Sequence, residues 1–221
     1  IGNCRTSVHE HVEIESPLVV VQHEMVIDTA GAGQFRGGLG SIYSILAESD
    51  TVVTVTADRV RRGAPGSTGG GAGTPTYCWY VPDFDLARHG DPFDLRDAEP
   101  LFGVFDEGGR PDPNHGEFGR GTRYRTGKIS RLALNAGDAL RVVIGGGGGW
   151  GDPLGRDPDR VWLDVRNELV SPDSAERLYG VIVVDGQWEP AATEARRAEL
   201  ASRRAAGNWS VPVSAPLHWT I

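Results

Sequence analysis

The sequence predicts a mainly β chain with a few short helices, an α+β fold, laced with long glycine-rich loops and carrying a helix near its C-terminus. Three observations predict it. Apolar and β-branched runs recur at Leu18 to Gln22, Thr51 to Thr56 and Val142 to Ile144, the composition of strands. Glycine accounts for 31 of the 221 residues and clusters between those runs. Only Pro190 to Ala206, rich in Ala, Arg and Glu, reads as a long helix, with Gly207 as its stop.

Taken in order, Val8 to Asp28 reads as strand-like. Thr29 to Gly33 is a turn, and Arg36-Gly37-Gly38-Leu39-Gly40 is a second glycine cluster. Ser41 to Ala47 and Thr51 to Thr56 are two strands, and the Glu48-Ser49-Asp50 break between them suits a hairpin. Arg59 to Thr74 is a long loop in which Arg59, Arg61 and Arg62 precede Pro65-Gly66 and further glycines. Thr76 to Val81 is a short aromatic strand. Pro82 to Gly121 has little periodicity and reads as an extended surface excursion, unusual inside a compact domain. Arg123 to Leu134 and Ala139 to Ile144 are strands flanking an Asn135 to Asp138 turn. Ser171 caps a helix that Gly180 ends after Tyr179, and Val181 to Val184 is a strand. Ser210 to Ile221 is a Pro-containing tail with Trp219, expected to be tied to a surface.

The bulk composition excludes some functions. A net charge of −8 argues against a phosphate-tracking nucleic-acid binder. No apolar run approaches the roughly 18–20 residues of a membrane helix, so no membrane association is expected. Cys4 and Cys78 lack metal-type spacing and do not make a disulfide framework, so free thiols in a reducing cytoplasm are the expectation. The chain begins at Ile1, and Gly2-Asn3-Cys4-Arg5-Thr6 does not resemble a natural start. A piece of something longer is expected.

The five consecutive glycines Gly145 to Gly149, followed by Trp150-Gly151-Asp152-Pro153, are the most unusual feature. Glycine loses more backbone entropy on folding than any other residue. Such a run implies positive φ or a close approach by something else. A phosphate loop fits poorly, because no Gly-Lys-Ser/Thr follows and a Gly-Asp-Pro turn stands where a helix should open. His9, His11 and Glu13 are the densest set of potential metal ligands; on a strand they share one face and make a two-histidine, one-carboxylate set for zinc or manganese. An exposed polar edge strand explains the same residues. Arg36, Arg59, Arg61 and Arg62 border two glycine loops, where their heads can converge on an anion or stay solvated. Lys128 is the sole lysine.

These segments resemble the hydantoinase B/5-oxoprolinase family. Asp28 through Gly31-Ala32-Gly33-Gln34-Phe35-Arg36-Gly37-Gly38-Leu39-Gly40 is similar to the family's Asp-Ser-Gly-Gly-Ala-Gly-x-Phe-Arg-Gly-Gly-Leu-Gly segment, with Thr29-Ala30 in place of Ser-Gly. Arg61 to Gly71 resembles its Arg-x-x-Pro-x-Gly-x-x-Gly-Gly loop in looser form. Lys128 through Pro153 resembles its Lys, Gly-Asp and Gly-Gly-Gly-Gly-aromatic-Gly-Asp-Pro segment, and Arg156, Asp159, Val161, Asp164-Val165 and Tyr179-Gly180-Val181 continue it. The resemblance implies that residues 1–184 are the β-rich C-terminal region of a B-type subunit, with 185–221 a C-terminal helix and tail. It implies an ATP-dependent heteromeric enzyme that hydrolyses a cyclic amide (hydantoin, lactam or oxoproline) with metal assistance; a ketone carboxylase of acetone or acetophenone type and a non-catalytic assembly subunit are the alternatives. ATP with Mg is expected on a hydantoinase A-type partner. Zn or Mn is expected on the N-terminal half of the B-type subunit or on a partner chain. No catalytic residue is assigned to this chain. Arg36, Arg62 and Lys128 are expected to face substrate or an anion, and Gly37, Gly38, Gly146, Gly147, Gly148 and Asp152 to form a loop wall.

Overall fold

The computed structural model describes residues 8–91, 94–105, 111, 123–125 (as backbone) and 127–214. The chain opens with helix α1 (His9–Glu15), then strands β1 (Leu18–Val26), β2 (Gly40–Ala47) and β3 (Thr51–Thr56). Strand β4 (Tyr77–Val81), helix α2 (Leu86–His89) and strands β5 (Glu99–Phe105), β6 (Arg123–Arg125), β7 (Lys128–Leu134) and β8 (Ala139–Ile144) follow. Helices α3 (Pro158–Arg166) and α4 (Pro172–Tyr179), the hairpin of β9 (Val183–Val184) and β10 (Gln187–Trp188), and helix α5 (Pro190–Ala205) complete it. This is the expected α+β, mainly β class. Among the described residues no helix is long and apolar enough to cross a membrane.

Six strands form one sheet in the order β1-β2-β8-β4-β5-β6, while β3 and β7 pair separately. Among the described residues every pairing between these strands is antiparallel. Strand alternation gives each face its core. Tyr77 and Trp79 join Ile42, Phe105 and Val143 on one side. Cys78 lies on the other with Phe102, Leu134 and Leu140. It is completely buried, and burial pushes its thiol up to about 12, as suits a packing residue. A third core, of Val161, Val170, Ala175, Leu178 and Tyr179, unites α3 and α4. Ser171 caps α4 by accepting from Ser174 N, and Gly180 ends it at φ 63°, as the sequence implied.

Three expectations change. First, β2 and β3 do not form a hairpin. β2 is buried along both faces and sits inside the large sheet between β1 and β8. β3 alternates half-buried and exposed residues, which suits an outer layer with one face inward, so the Glu48-Ser49-Asp50 link carries the chain between sheets. Second, residues 9–15 are helical rather than extended. Helical spacing lets His11 meet Glu15 at 3.3 Å, and Ser16, before Pro17, closes the helix by donating both N and Oγ to Val12 O. Third, the stretch from Pro82 holds α2 and β5. Its backbone is gathered by Arg141, a β8 side chain only 1% exposed. Arg141 donates to the carbonyls of His89, Asp91 and Asp94 and to Ser44 Oγ, so a loop without sequence periodicity is held by one buried guanidinium. Cys4, His115, His218, Trp219 and most of 106–122 lie outside the described residues.

Candidate functional site

β8 delivers Gly145 to Gly149 into the middle of two other glycine-rich threads. None of the five has φ in the left-handed region, so close approach is the reason for glycine here. A Cβ built on each shows which neighbour it would strike. Gly145 and Gly148 face the thread of residues 64–75, Gly146 and Gly149 face residues 29–32, and Gly147 faces Gly37 and Gly38. The neighbour repeats every third residue, the periodicity of an extended three-residue-per-turn helix and not the period of two of a strand. The other threads reciprocate: a Cβ on Gly31 would lie 2.6 Å from Gly149 N, and one on Gly73 2.7 Å from the Gly146 carbonyl carbon. Trp150 occupies the phase of Gly147. There the slab meets solvent, and Trp150 exchanges two backbone hydrogen bonds with Phe35 at 3.0 and 2.9 Å. Their rings lie 5.6 Å apart and both remain exposed.

Four of the five backbone donors of this run, those of Gly145, Gly146, Gly147 and Gly149, are occupied within the chain. Gly147 N donates to Gly38 O at 2.9 Å and Gly149 N to Gly71 O at 3.0 Å. Gly145 N and Gly146 N donate to the hydroxyls of Thr76 and Thr74. The extended chain has no hydrogen bonds of its own, so its neighbours satisfy it. A phosphate cradle needs N–H groups that point at the ligand, and these do not fit one.

Arg36 sets the slab against the helices. Its Nε and Nη2 reach Asp164 at 3.2 and 3.3 Å, and its Nη1 donates to Gly37 O at 2.8 Å. Arg156 Nη2 donates to the same carboxylate at 2.8 Å and its Nη1 to Gln34 O at 3.0 Å. Asp164 is 7% exposed, so one buried carboxylate joins two guanidiniums that both grip the glycine loop. Arg36 therefore does not converge with Arg59, Arg61 and Arg62, which are exposed. Asp152 leaves the slab toward α5, where Arg204 binds both its oxygens at 2.7 and 3.0 Å. That contact, ahead of the opposing effect of burial, holds its carboxyl below the ordinary range. Gly38 is open, with nothing within 4 Å of a built Cβ.

The remaining expected residues are dispersed. Lys128, at the start of β7 opposite Thr56, is exposed and lines a cavity between the two sheets. His9 turns to His23 at 2.9 Å, Glu13 accepts from Val20 N at 3.0 Å, and His11 pairs with Glu15. The helix keeps His9 and Glu13, four residues apart, on the face toward β1 and turns His11 away to Glu15, where a strand would have aligned all three. Among the described residues no three His, Cys, Asp or Glu side chains are placed to hold a metal ion. Sequence reasoning missed Asp164 and Arg156 as partners of Arg36. Both belong to the segment that carries the family resemblance, but nothing in their spacing reveals a contact across 128 residues.

Comparison with known proteins agrees with this architecture. The Hydantoinase B/oxoprolinase family model matches residues 1–153. The chain is 32% identical over 190 residues to the caprolactamase subunit beta of Pseudomonas jessenii, covering 86% of this chain and 27% of that protein. It is 27% identical over 215 residues to the acetone carboxylase alpha subunit of Xanthobacter autotrophicus, covering 91% and 26%. The crystal structure of the ATP-dependent caprolactamase from Pseudomonas jessenii superposes with a TM-score of 0.62 at 26% identity, over 87% of this chain and 28% of that one. The chain spans about a quarter of the length of these relatives. With more than half its residues matched and the fold shared, the chain belongs to the hydantoinase B/oxoprolinase family.

Proposed function

We propose that this chain is the C-terminal part of a B-type subunit in an ATP-dependent enzyme of the hydantoinase/oxoprolinase type, acting in the cytoplasm on a cyclic amide by metal-assisted hydrolysis. The identity with the caprolactamase subunit beta over 86% of the chain carries this reading. An A-type partner would hold ATP and Mg. Zn or Mn would sit on the N-terminal half of the B-type subunit or on a partner chain, where a metal can polarise a carbonyl or supply hydroxide. The described residues here do not fit either group, so no step is assigned through them. The contribution of this chain is a stiff wall: a side-chain-free slab with Arg36 locked beneath it, and Arg62 and Lys128 as anion-facing groups at the surface.

The test is reconstitution. Coexpressed with an A-type subunit and the N-terminal half of a B-type subunit, the chain completes ATP-dependent ring opening that the other parts alone do not perform. Metal-dependent turnover by the isolated chain at the rate of the complex would overturn the proposal. The similarity to an acetone carboxylase alpha subunit over 91% of the chain supports a second reading, a ketone carboxylase. Bicarbonate-dependent consumption of acetone by the same complex, without lactam opening, would select it. For an assembly role alone, Lys128→Ala in the whole complex is decisive: lost turnover with assembly intact removes that role.

A further inference from the structure

The two sheets leave a cavity of about 690 Å³ between them. Leu101 of β5 and Ile129 and Leu132 of β7 make its floor, and Tyr80 of β4 forms a wall. Ile129, Leu132 and Tyr80 pack against the core under the small sheet yet stay only partly buried. A concave, mostly apolar surface with a few polar groups is what a small-molecule site offers. The Tyr80 hydroxyl is committed, donating to Asp138 Oδ2 at 2.6 Å. The polar groups left are Lys128 and Glu99, which line the same cavity and are exposed. Among the described residues, neither side chain makes an ion pair or hydrogen bond. Two unpaired charges of opposite sign thus border one apolar floor without meeting each other. A lone carboxylate drawn to Lys128 would face the repulsion of Glu99, and a lone amine drawn to Glu99 would face that of Lys128. A molecule with both charges, joined by methylenes, suits all three surfaces.

We propose that this groove binds a zwitterionic aliphatic amino acid, with its carboxylate on Lys128 Nζ, its ammonium on the Glu99 carboxylate and its methylenes over Leu101, Ile129 and Leu132. Hydrolytic opening of a cyclic amide yields this class of molecule: water adds across the C–N bond, the carbonyl carbon becomes a carboxylate and the nitrogen leaves as an ammonium on the same carbon chain. That link to a product rests on the function proposed above; the binding itself does not.

The test is calorimetric titration of the full chain with ε-aminocaproate, caproate and hexylamine. The expected result is saturable binding of ε-aminocaproate, about threefold or more tighter than either singly charged analogue, as exposed charge contacts supply. Lys128→Met and Glu99→Gln should each remove that preference with an unchanged melting temperature, since both side chains are exposed. The absence of saturable binding, equal affinity for caproate and the zwitterion, or an undiminished preference in both variants would each overturn it. Turnover is not read in this experiment, so its failure leaves the proposed function standing, and the reverse also holds.

Discussion

Gly148 and Gly38 are both glycines in one slab, but they answer different demands. A Cβ on Gly148 would strike the Pro65 carbonyl, with the Pro65 carbonyl carbon at 2.6 Å and the Ala64 carbonyl at 3.0 Å. Those are backbone atoms, which cannot swing aside. Gly148→Ala should destabilise the fold by about 2 kcal/mol or more through overpacking. Gly38→Ala meets open space, and loses backbone freedom only in the unfolded chain, so it should gain about 0.5 kcal/mol. Paired thermal melts check both, and equal losses would contradict the three-thread packing. Asp164 carries a second residue-scale prediction. Asp164→Ala leaves buried Arg156 and half-buried Arg36 without their carboxylate, a change that costs about 3–5 kcal/mol in buried pairs, read as a lowered midpoint in urea. The special status of the glycine run was legible, because five glycines in a row demand a cause. Which cause applied was not, because the crowding comes from residues about 70 to 120 positions away.

At the scale of elements, legibility followed locality. The α4 boundaries are written in Ser171 and Gly180, whose roles depend on their own neighbours. Ser171→Ala should therefore cost about 1 kcal/mol, with circular dichroism showing the remaining helices intact. The α1 boundary was misread because alternation and helical spacing are hard to separate over seven residues. The β2–β3 connection was misread for another reason. A short polar break permits a hairpin, but the two-faced burial of β2 and the one-faced burial of β3 assign them to different layers. That choice is made by the whole sheet. The Lys128–Glu99 groove was equally hidden, since it exists only where β5 and β7 come to face each other.

Across the whole molecule, titrating groups set the limits of stability. Arg96 holds Asp94 down to about 2, and Arg204 lowers Asp152. Burial works to raise Asp138, but the Tyr80 hydroxyl with the Asn135 and Asp83 amides bring it below the ordinary value. Each carboxyl is more acidic folded than unfolded, where 3.8 is usual. Their contribution is present above that value and is lost as the pH falls below it, for Asp94 as the pH passes through about 2. Tyr80 is raised to about 12, first by its hydrogen bond to Asp138, and Cys78 to about 12 by burial. Both are neutral in the fold and ionise near 10.0 and 9.0 when unfolded. Their contribution is present below about pH 9 and lost as the pH rises through 12. The melting temperature should be level near neutrality and fall at both ends. A Tyr80→Phe chain should lose part of the alkaline fall, and an identical alkaline limb would contradict the assignment.

The slab has a further consequence, for the order of folding. Gly31 bonds Gly147, and Gly71 bonds Gly149, so its contacts join parts of the chain far apart in sequence. Bare glycine backbone has little apolar surface to draw those threads together, and ring closure over such distances is slow. The sheets must collapse first and bring the threads into range. Substitutions within the slab should then act after the rate-limiting barrier: Gly148→Ala should accelerate unfolding and leave the refolding rate almost untouched, measurable by stopped-flow mixing in urea. The lifetime of the native state, more than the speed of reaching it, is what this glycine-built layer controls.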